Sequence, residues 1–210
     1  MMEEWRDKVP AIIMQWYAGM EGGNALASIL AGDVNPSGKL PFVIPTSIEH
    51  LPYFESDTDK FTYDLWHGYR KLDKDENKPA FPFGFGLSYT TFLLENLTLD
   101  KNNYHSEDFL KVNLQIKNTG NMAGEEVVQL YVSAIGSKVP RARKELKAFT
   151  KVMVDAGSIK NIQMELPISE LAYYDESIGD FVIEHIKYQV FVGVHERDEQ
   201  ALKAEFFVVN

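Results

Sequence analysis

Pro79-Ala80-Phe81-Pro82-Phe83-Gly84-Phe85-Gly86-Leu87-Ser88-Tyr89-Thr90-Thr91-Phe92 divides the chain into two halves of unlike character. Three phenylalanines, two prolines and two glycines precede Phe92, a composition that interrupts any helix or strand and offers adhesive rings. Downstream the apolar residues recur with period two. Leu110, Val112, Leu114 and Ile116 alternate with Lys111, Asn113, Gln115 and Lys117, the pattern of a strand with one wet and one buried face. Val128, Leu130 and Val132 repeat it, as do Tyr188, Val190, Val192 and Val194. Further strands are predicted over 92–99, 145–154, 159–166, 179–184 and 204–209, separated by turn signals such as Asn118-Thr119-Gly120-Asn121 and Asp155-Ala156-Gly157-Ser158. About seven short strands is the count of an immunoglobulin-like or fibronectin-III-like sandwich.

Upstream the chain reads differently. Ala11-Ile12-Ile13-Met14 is a continuous apolar run expected of a strand buried on both faces, and Gly19-Met20-Glu21-Gly22-Gly23 forms a permissive loop after it. From Asn24 the period becomes helical: Leu26, Ile29 and Leu30 share a face among helix-favouring alanines, and Gly32 suits the C-terminal cap. Asp33 to Pro41 carries turn chemistry leading into Phe42-Val43-Ile44. Residues 49–80 are charged and aromatic with little period, and are read as a connecting arm with Phe54, Phe61, Tyr63, Trp66 and Tyr69 as docking points. The fold class expected is α+β, with a partial α/β segment over residues 1–48, an arm and hinge over 49–90, and an all-β sandwich over 91–210. One strand-helix unit cannot cover both faces of a parallel sheet, so the first segment is expected to need neighbours.

Composition narrows the function. The 210 residues hold 21 basic and 31 acidic side chains, a net charge of −10 that opposes binding to nucleic acid or anionic membranes. Cysteine is absent, which removes disulfides, thiolate metal sites and a cysteine nucleophile. His50, His67, His105, His185 and His195 lack metal-ligand spacing. Gly19, Gly22 and Gly23 do not form an ordered phosphate-binding motif, so no cofactor is expected. No apolar run reaches the roughly 20 residues needed to span a bilayer. The acidic start Met1-Met2-Glu3-Glu4 is unlike an export signal, which makes the default expectation a soluble, cytoplasmic chain. Asn96-Leu97-Thr98 fits a glycosylation acceptor, a triplet that also arises by chance.

Five stretches in order give the chain a resemblance to the C-terminal part of glycoside hydrolase family 3, which includes many β-glucosidases and β-xylosidases. They are Trp16-Tyr17-Ala18-Gly19-Met20-Glu21-Gly22-Gly23-Asn24-Ala25, Gly32 to Pro41, His67-Gly68-Tyr69-Arg70, Phe81 to Phe92, and Asn118-Thr119-Gly120 followed by Gly124 to Val132. Departures are small: Ala142 stands where the family usually has proline, Ala148 where it has glycine, and Ala156-Gly157-Ser158 where it has Pro-Gly-Glu. The resemblance implies a retaining mechanism with two carboxyl groups about 5 to 5.5 Å apart. It places the nucleophilic aspartate in an N-terminal (β/α) barrel and the acid/base glutamate upstream in the α/β domain, so neither is matched here and no catalytic residue is assigned. The chain is therefore expected to be inactive alone, with an oligosaccharide or β-glucoside reaching it only through the parent enzyme. Partners expected are the barrel and the rest of the α/β domain, in the same chain or in trans, with association into homo-oligomers left open.

Candidate substrate-binding residues are Trp16, Tyr17 and Glu21, because loops after strand ends carry function in α/β domains. Each has a structural alternative: Trp16 and Tyr17 pack the loop against the rest of the parent enzyme, and Glu21 holds the start of the next helix through its backbone N–H groups. Asp33 more simply organises a turn, and Glu125 and Glu126 cannot both enter one site because adjacent strand residues face opposite ways. A sugar-binding or adhesion module is a second reading, weakened by the lack of outward Trp and Tyr rows on the predicted strands. A split enzyme docking onto a barrel subunit is a third.

Overall fold

The computed structural model describes residues 2–210. Its centre is a β-sandwich built from β3 (Phe92–Leu99), β4 (Asn103–Tyr104), β5 (Phe109–Asn118), β6 (Gly124–Ile135), β7 (Glu145–Val154), β8 (Ile159–Pro167), β11 (Lys187–Gly193) and β12 (Leu202–Val208). Five strands make one sheet in the order β4-β12-β11-β6-β7, and β3-β5-β8 make the other. Only the β12–β4 pair is parallel. Period two in the sequence becomes burial of alternate side chains: Leu110, Val112, Leu114 and Ile116 of β5 meet Val128, Leu130 and Val132 of β6 and Val190 and Val192 of β11 in one core. Tyr188 stacks on Phe206 at 5.5 Å between ring centroids, and Tyr104 meets Phe206 edge-on at 5.3 Å. The Tyr188 hydroxyl donates to the carbonyl of Glu184 at 3.0 Å, and burial pushes its pKa up to about 12.

Asn118, fully buried at the end of β5, explains the Asn-Thr-Gly signal. Its amide nitrogen donates to the carbonyls of Met122 (2.8 Å) and Val154 (2.9 Å), while its oxygen accepts from the Thr90 hydroxyl (2.6 Å) and the Gly120 N–H (3.1 Å). All four hydrogen-bonding positions of the amide are filled, so one side chain ties the hinge, a turn and two strands together. At Gly120 a Cβ would lie 2.3 Å from the Thr90 hydroxyl, which excludes any larger residue.

The first half follows the sequence reading in part. Helix α1 (Gly22–Ala31) ends at Gly32, whose φ of 81° is the left-handed cap conformation. Asp33 and Val34 both donate backbone N–H groups to the Ser28 carbonyl, closing the turn that the sequence assigns to this stretch. Residues 11–14 depart from expectation: they form no strand, and Ile12, Ile13 and Met14 are 38%, 47% and 46% exposed. A strand exists only through ladder partners, and among the described residues nothing pairs with this run. Phe42-Val43-Ile44 yields only β1 (Ile44–Pro45), antiparallel to β2 (Pro79–Phe81), and is not part of a parallel sheet.

Two further differences concern elements. The stretch 49–80 contains helix α2 (Gly68–Lys74), which the charge-rich pattern concealed; its inward residues are Leu72 and Asp73, so a carboxylate occupies a buried helical position. Residues 179–184 do not join the sandwich. They supply β10 (Asp180–Val182), paired only with β9 (Tyr173–Asp175) in a separate hairpin where Tyr174 packs edge-on against Phe181 at 5.3 Å.

Candidate functional site

The loop between the apolar run and α1 carries the three residues singled out in the sequence. Trp16 has a φ of 56°, rare for a bulky residue, and its ring meets Phe42 edge-on at 5.4 Å. Gln15 braces the loop by donating from its side chain to the Gly22 carbonyl at 2.8 Å. Beyond these contacts the loop is open: Trp16 is 54% exposed, and Tyr17 and Met20 have essentially free side chains. Glu21 is the residue before α1, yet its carboxylate bonds no backbone N–H there; it accepts from the Asn24 side chain at 2.6 Å. The loop therefore brings Trp16, Tyr17 and Glu21 into one exposed segment without assembling a polar pocket around them. Among the described residues, no group of three or more His, Asp or Glu side chains has the arrangement of a metal site.

Most of the specific geometry lies in the seam between the two halves. Residues 35–40 run along the hinge and the start of β6. Asn35 accepts from the Tyr89 N–H (2.7 Å) and exchanges hydrogen bonds with the Ser88 hydroxyl (2.8 and 3.0 Å). Leu40 and the hinge trade backbone bonds, Leu40 N–H to the Phe85 carbonyl and Gly84 N–H to the Leu40 carbonyl. Lys39 donates to the Gly86 carbonyl at 2.7 Å and pairs with Glu126 at 2.6 Å, the two side chains being 10% and 7% exposed. Glycines at 86 and 124 permit the approach: a Cβ on Gly86 would lie 2.2 Å from the Gly38 carbonyl oxygen, and one on Gly124 would lie 2.1 Å from Asn35 Nδ2.

Helix α2 makes the second contact. Tyr69 packs against Phe83 at 5.0 Å and edge-on against Tyr131 at 6.4 Å, and its hydroxyl accepts from the Leu146 N–H. Below it lies a charged cluster in which Arg197 pairs with both Asp73 and Glu196, while Lys144 lies 3.3 Å from Glu196 and also donates to that residue's carbonyl. Burial, followed by the neighbouring Asp73, pushes the Glu196 carboxyl above its ordinary range, although Lys144 and Arg197 pull the other way. His195 beside it is held below its usual range chiefly by burial, with Lys39 and Lys144 adding to the effect against Asp198.

Sequence reasoning separated the Glu125 and Glu126 side chains correctly: Glu125 pairs with Lys151 on β7, whereas Glu126 meets Lys39. It missed the partners. A usable signal existed, since Glu126 shares its parity with the core residues Val128, Leu130 and Val132 and so had to be buried. For Gln129, Tyr131 and Ser133 no such signal existed. They sit on the face of β6 read as wet, and all three are buried. Chemically the seam is an adhesive interface of buried hydrogen bonds and ion pairs; among the described residues it presents no pair of carboxylates open to a substrate.

Residues 1–89 match the model of the glycosyl hydrolase family 3 C-terminal domain, and residues 126–196 match a fibronectin type III-like domain. The thermostable β-glucosidase B of Acetivibrio thermocellus is 38% identical over 199 residues, 92% of this chain and 26% of that protein. A β-glucosidase of Kluyveromyces marxianus is 39% identical over 207 residues, 95% of this chain and 24% of that protein. Its crystal structure with glucose superposes with a TM-score of 0.88 at 38% identity, covering 98% of this chain and 25% of that one. β-Glucosidase 3B of Thermotoga neapolitana with glucose gives a TM-score of 0.89 at 35% identity, covering 99% and 29%. The chain thus spans about a quarter of the length of these relatives.

Proposed function

This chain belongs to glycosyl hydrolase family 3, corresponding to a C-terminal portion of its members, and from that premise we propose that it completes and clamps the α/β domain of a β-glucosidase-like hydrolase. In this reading residues 1–48 are the end of the α/β domain, 49–90 the arm and hinge, and 91–210 the clamp. The observation that carries it is the contrast between the two surfaces of the first half. Toward the sandwich, Asn35, Lys39, Tyr69 and Asp73 are locked by hydrogen bonds and buried ion pairs, whereas Ile12, Ile13, Met14, Tyr17 and Met20 are exposed. An exposed apolar run beside a rigid seam is a docking face for the remainder of the enzyme.

Trp16 and Tyr17 would pack that face or stack on a sugar at its rim, and Glu21 would order the loop through Asn24. Neither catalytic carboxylate is assigned to this chain. The substrate, an oligosaccharide or β-glucoside, would be cleaved by acids contributed by the barrel and the upstream α/β segment, joined in one polypeptide or in trans. With the remainder absent, the same apolar face would drive self-association.

Purified chain assayed with an aryl β-glucoside, alone and after mixing with a separately expressed barrel plus upstream α/β segment from a relative, tests the reading. No turnover alone and formation of a complex are expected. Turnover by the chain alone that is lost in Glu21→Gln would overturn it.

A further inference from the structure

We propose that the groove between the β6–β7 connection and the β9–β10 hairpin binds a neutral oligosaccharide. The groove encloses about 420 Å3, within the range of roughly 300–1,000 Å3 usual for small-molecule sites. Leu65, Arg141, Glu145, Lys147, Tyr173 and Glu176 are among its lining residues.

The chemistry of the lining selects the ligand. Arg141 lies against the Tyr173 ring, 5.7 Å from its centroid, and its Nη2 donates to the Leu171 carbonyl at 3.0 Å. Its Nη1 is buried without a hydrogen-bond acceptor, the nearest carboxylate oxygen, on Glu184, being 3.9 Å away. Two cations, Arg141 and Lys147, face three carboxylates, Glu145, Asp175 and Glu176. Glu145 is already shared by Arg70, Arg141 and Lys147, and Asp175 accepts from the Ser177 hydroxyl and N–H. An anionic ligand would meet the carboxylates and a cationic one the guanidinium. A polyhydroxyl compound suits both, since each hydroxyl donates to a carboxylate or accepts from a cation while the C–H face of the ring lies on an aromatic side chain. The hairpin adds Tyr174 to the lining, edge-on against Phe181, the two being 54% and 69% exposed.

Titration of the isotopically labelled chain with cellotetraose and with laminaritetraose, followed by amide NMR, tests the proposal. The expected result is a saturable shift confined to residues 139–147 and 173–182, with a dissociation constant of about 1 mM or tighter for at least one sugar. Tyr173→Ala should weaken it roughly 2- to 10-fold, as expected for loss of one aromatic contact. Glu176→Gln changes an exposed side chain, keeps the fold, and should also weaken it. Absence of shifts with both sugars, shifts elsewhere, undiminished binding in both variants, or binding of sulfate without sugar would each overturn the assignment.

Discussion

The side-chain amide of Gln129 donates to the carbonyl of Gly84 at 3.1 Å, joining the middle of β6 to the hinge across 45 positions of sequence. The same nitrogen donates to the Val194 carbonyl at 2.7 Å, and the amide oxygen accepts from the Tyr131 hydroxyl at 2.6 Å. Gln129 is thus the point at which hinge, β6 and the loop after β11 converge. Gly84 has a φ of +77°, and a Cβ there would lie 2.1 Å from Gln129 Oε1. Gly84→Ala is expected to destabilise the chain by about 2 kcal/mol or more, through left-handed strain plus displacement of Gln129. Urea unfolding of the two proteins measures it; a loss below about 0.5 kcal/mol would show that the seam yields freely.

Lys39→Ala leaves the Glu126 carboxylate buried with its backbone partner, the Val127 N–H, but without its cation. A cost of about 3 to 5 kcal/mol is expected for breaking such a pair from one side. Replacing both, Lys39→Met with Glu126→Leu, should recover most of it. The unfolding free energies of the parent chain, Lys39→Met, Glu126→Leu and the double variant form a cycle, and additivity within it would mean that the two charges do not interact.

The pH dependence of stability isolates the α2 cluster. A carboxyl whose folded pKa is raised holds its proton more tightly when folded, so its contribution is full below the unfolded pKa and lost as pH rises through the folded value. His195, lowered by burial, acts oppositely: its contribution is present above its unfolded pKa and lost as pH falls. Glu196→Gln removes only the first effect. The variant should therefore gain stability relative to the parent chain as pH rises from about 4.5 through the folded pKa of Glu196. Melting curves across that interval check it, and a constant difference at all pH values would remove Glu196 as the titrating group.

Hydrogen exchange should divide the first half along the seam. Amides of β5, β6 and β11 and of α2 should exchange slowest, because they lie in or against the buried core, whereas residues 9–20 should exchange within the dead time of the measurement. Slow exchange over residues 11–14 in a monomer would contradict their exposure.

Legibility in the sequence tracked locality. α1 with its Gly32 cap and most of the sandwich strands were readable because a strand alternates and a helix repeats within a few residues, and each imprints its buried face directly. The ordered motifs identified the family because their residue types recur at fixed spacing, although Asn35, Lys39 and Asn118 within them bond to segments far along the chain. Reading the run 11–14 as a strand failed because a strand requires a partner. Helix α2 was hidden because its buried side consists of little more than Leu72 and Asp73, with Asp73 stabilised by Arg197 from far along the chain.

What the sequence determined by itself is α1, most of the sandwich strands and the family, since periodicity and turn chemistry act within single segments. Tertiary structure alone decided that Lys39 meets Glu126, that Gln129 and Tyr131 lie buried on the face of β6 away from the core, and that residues 173–182 leave the sandwich as a hairpin. Each depends on two segments meeting, and the burial or charge of one side chain then reflects a partner that no local pattern specifies.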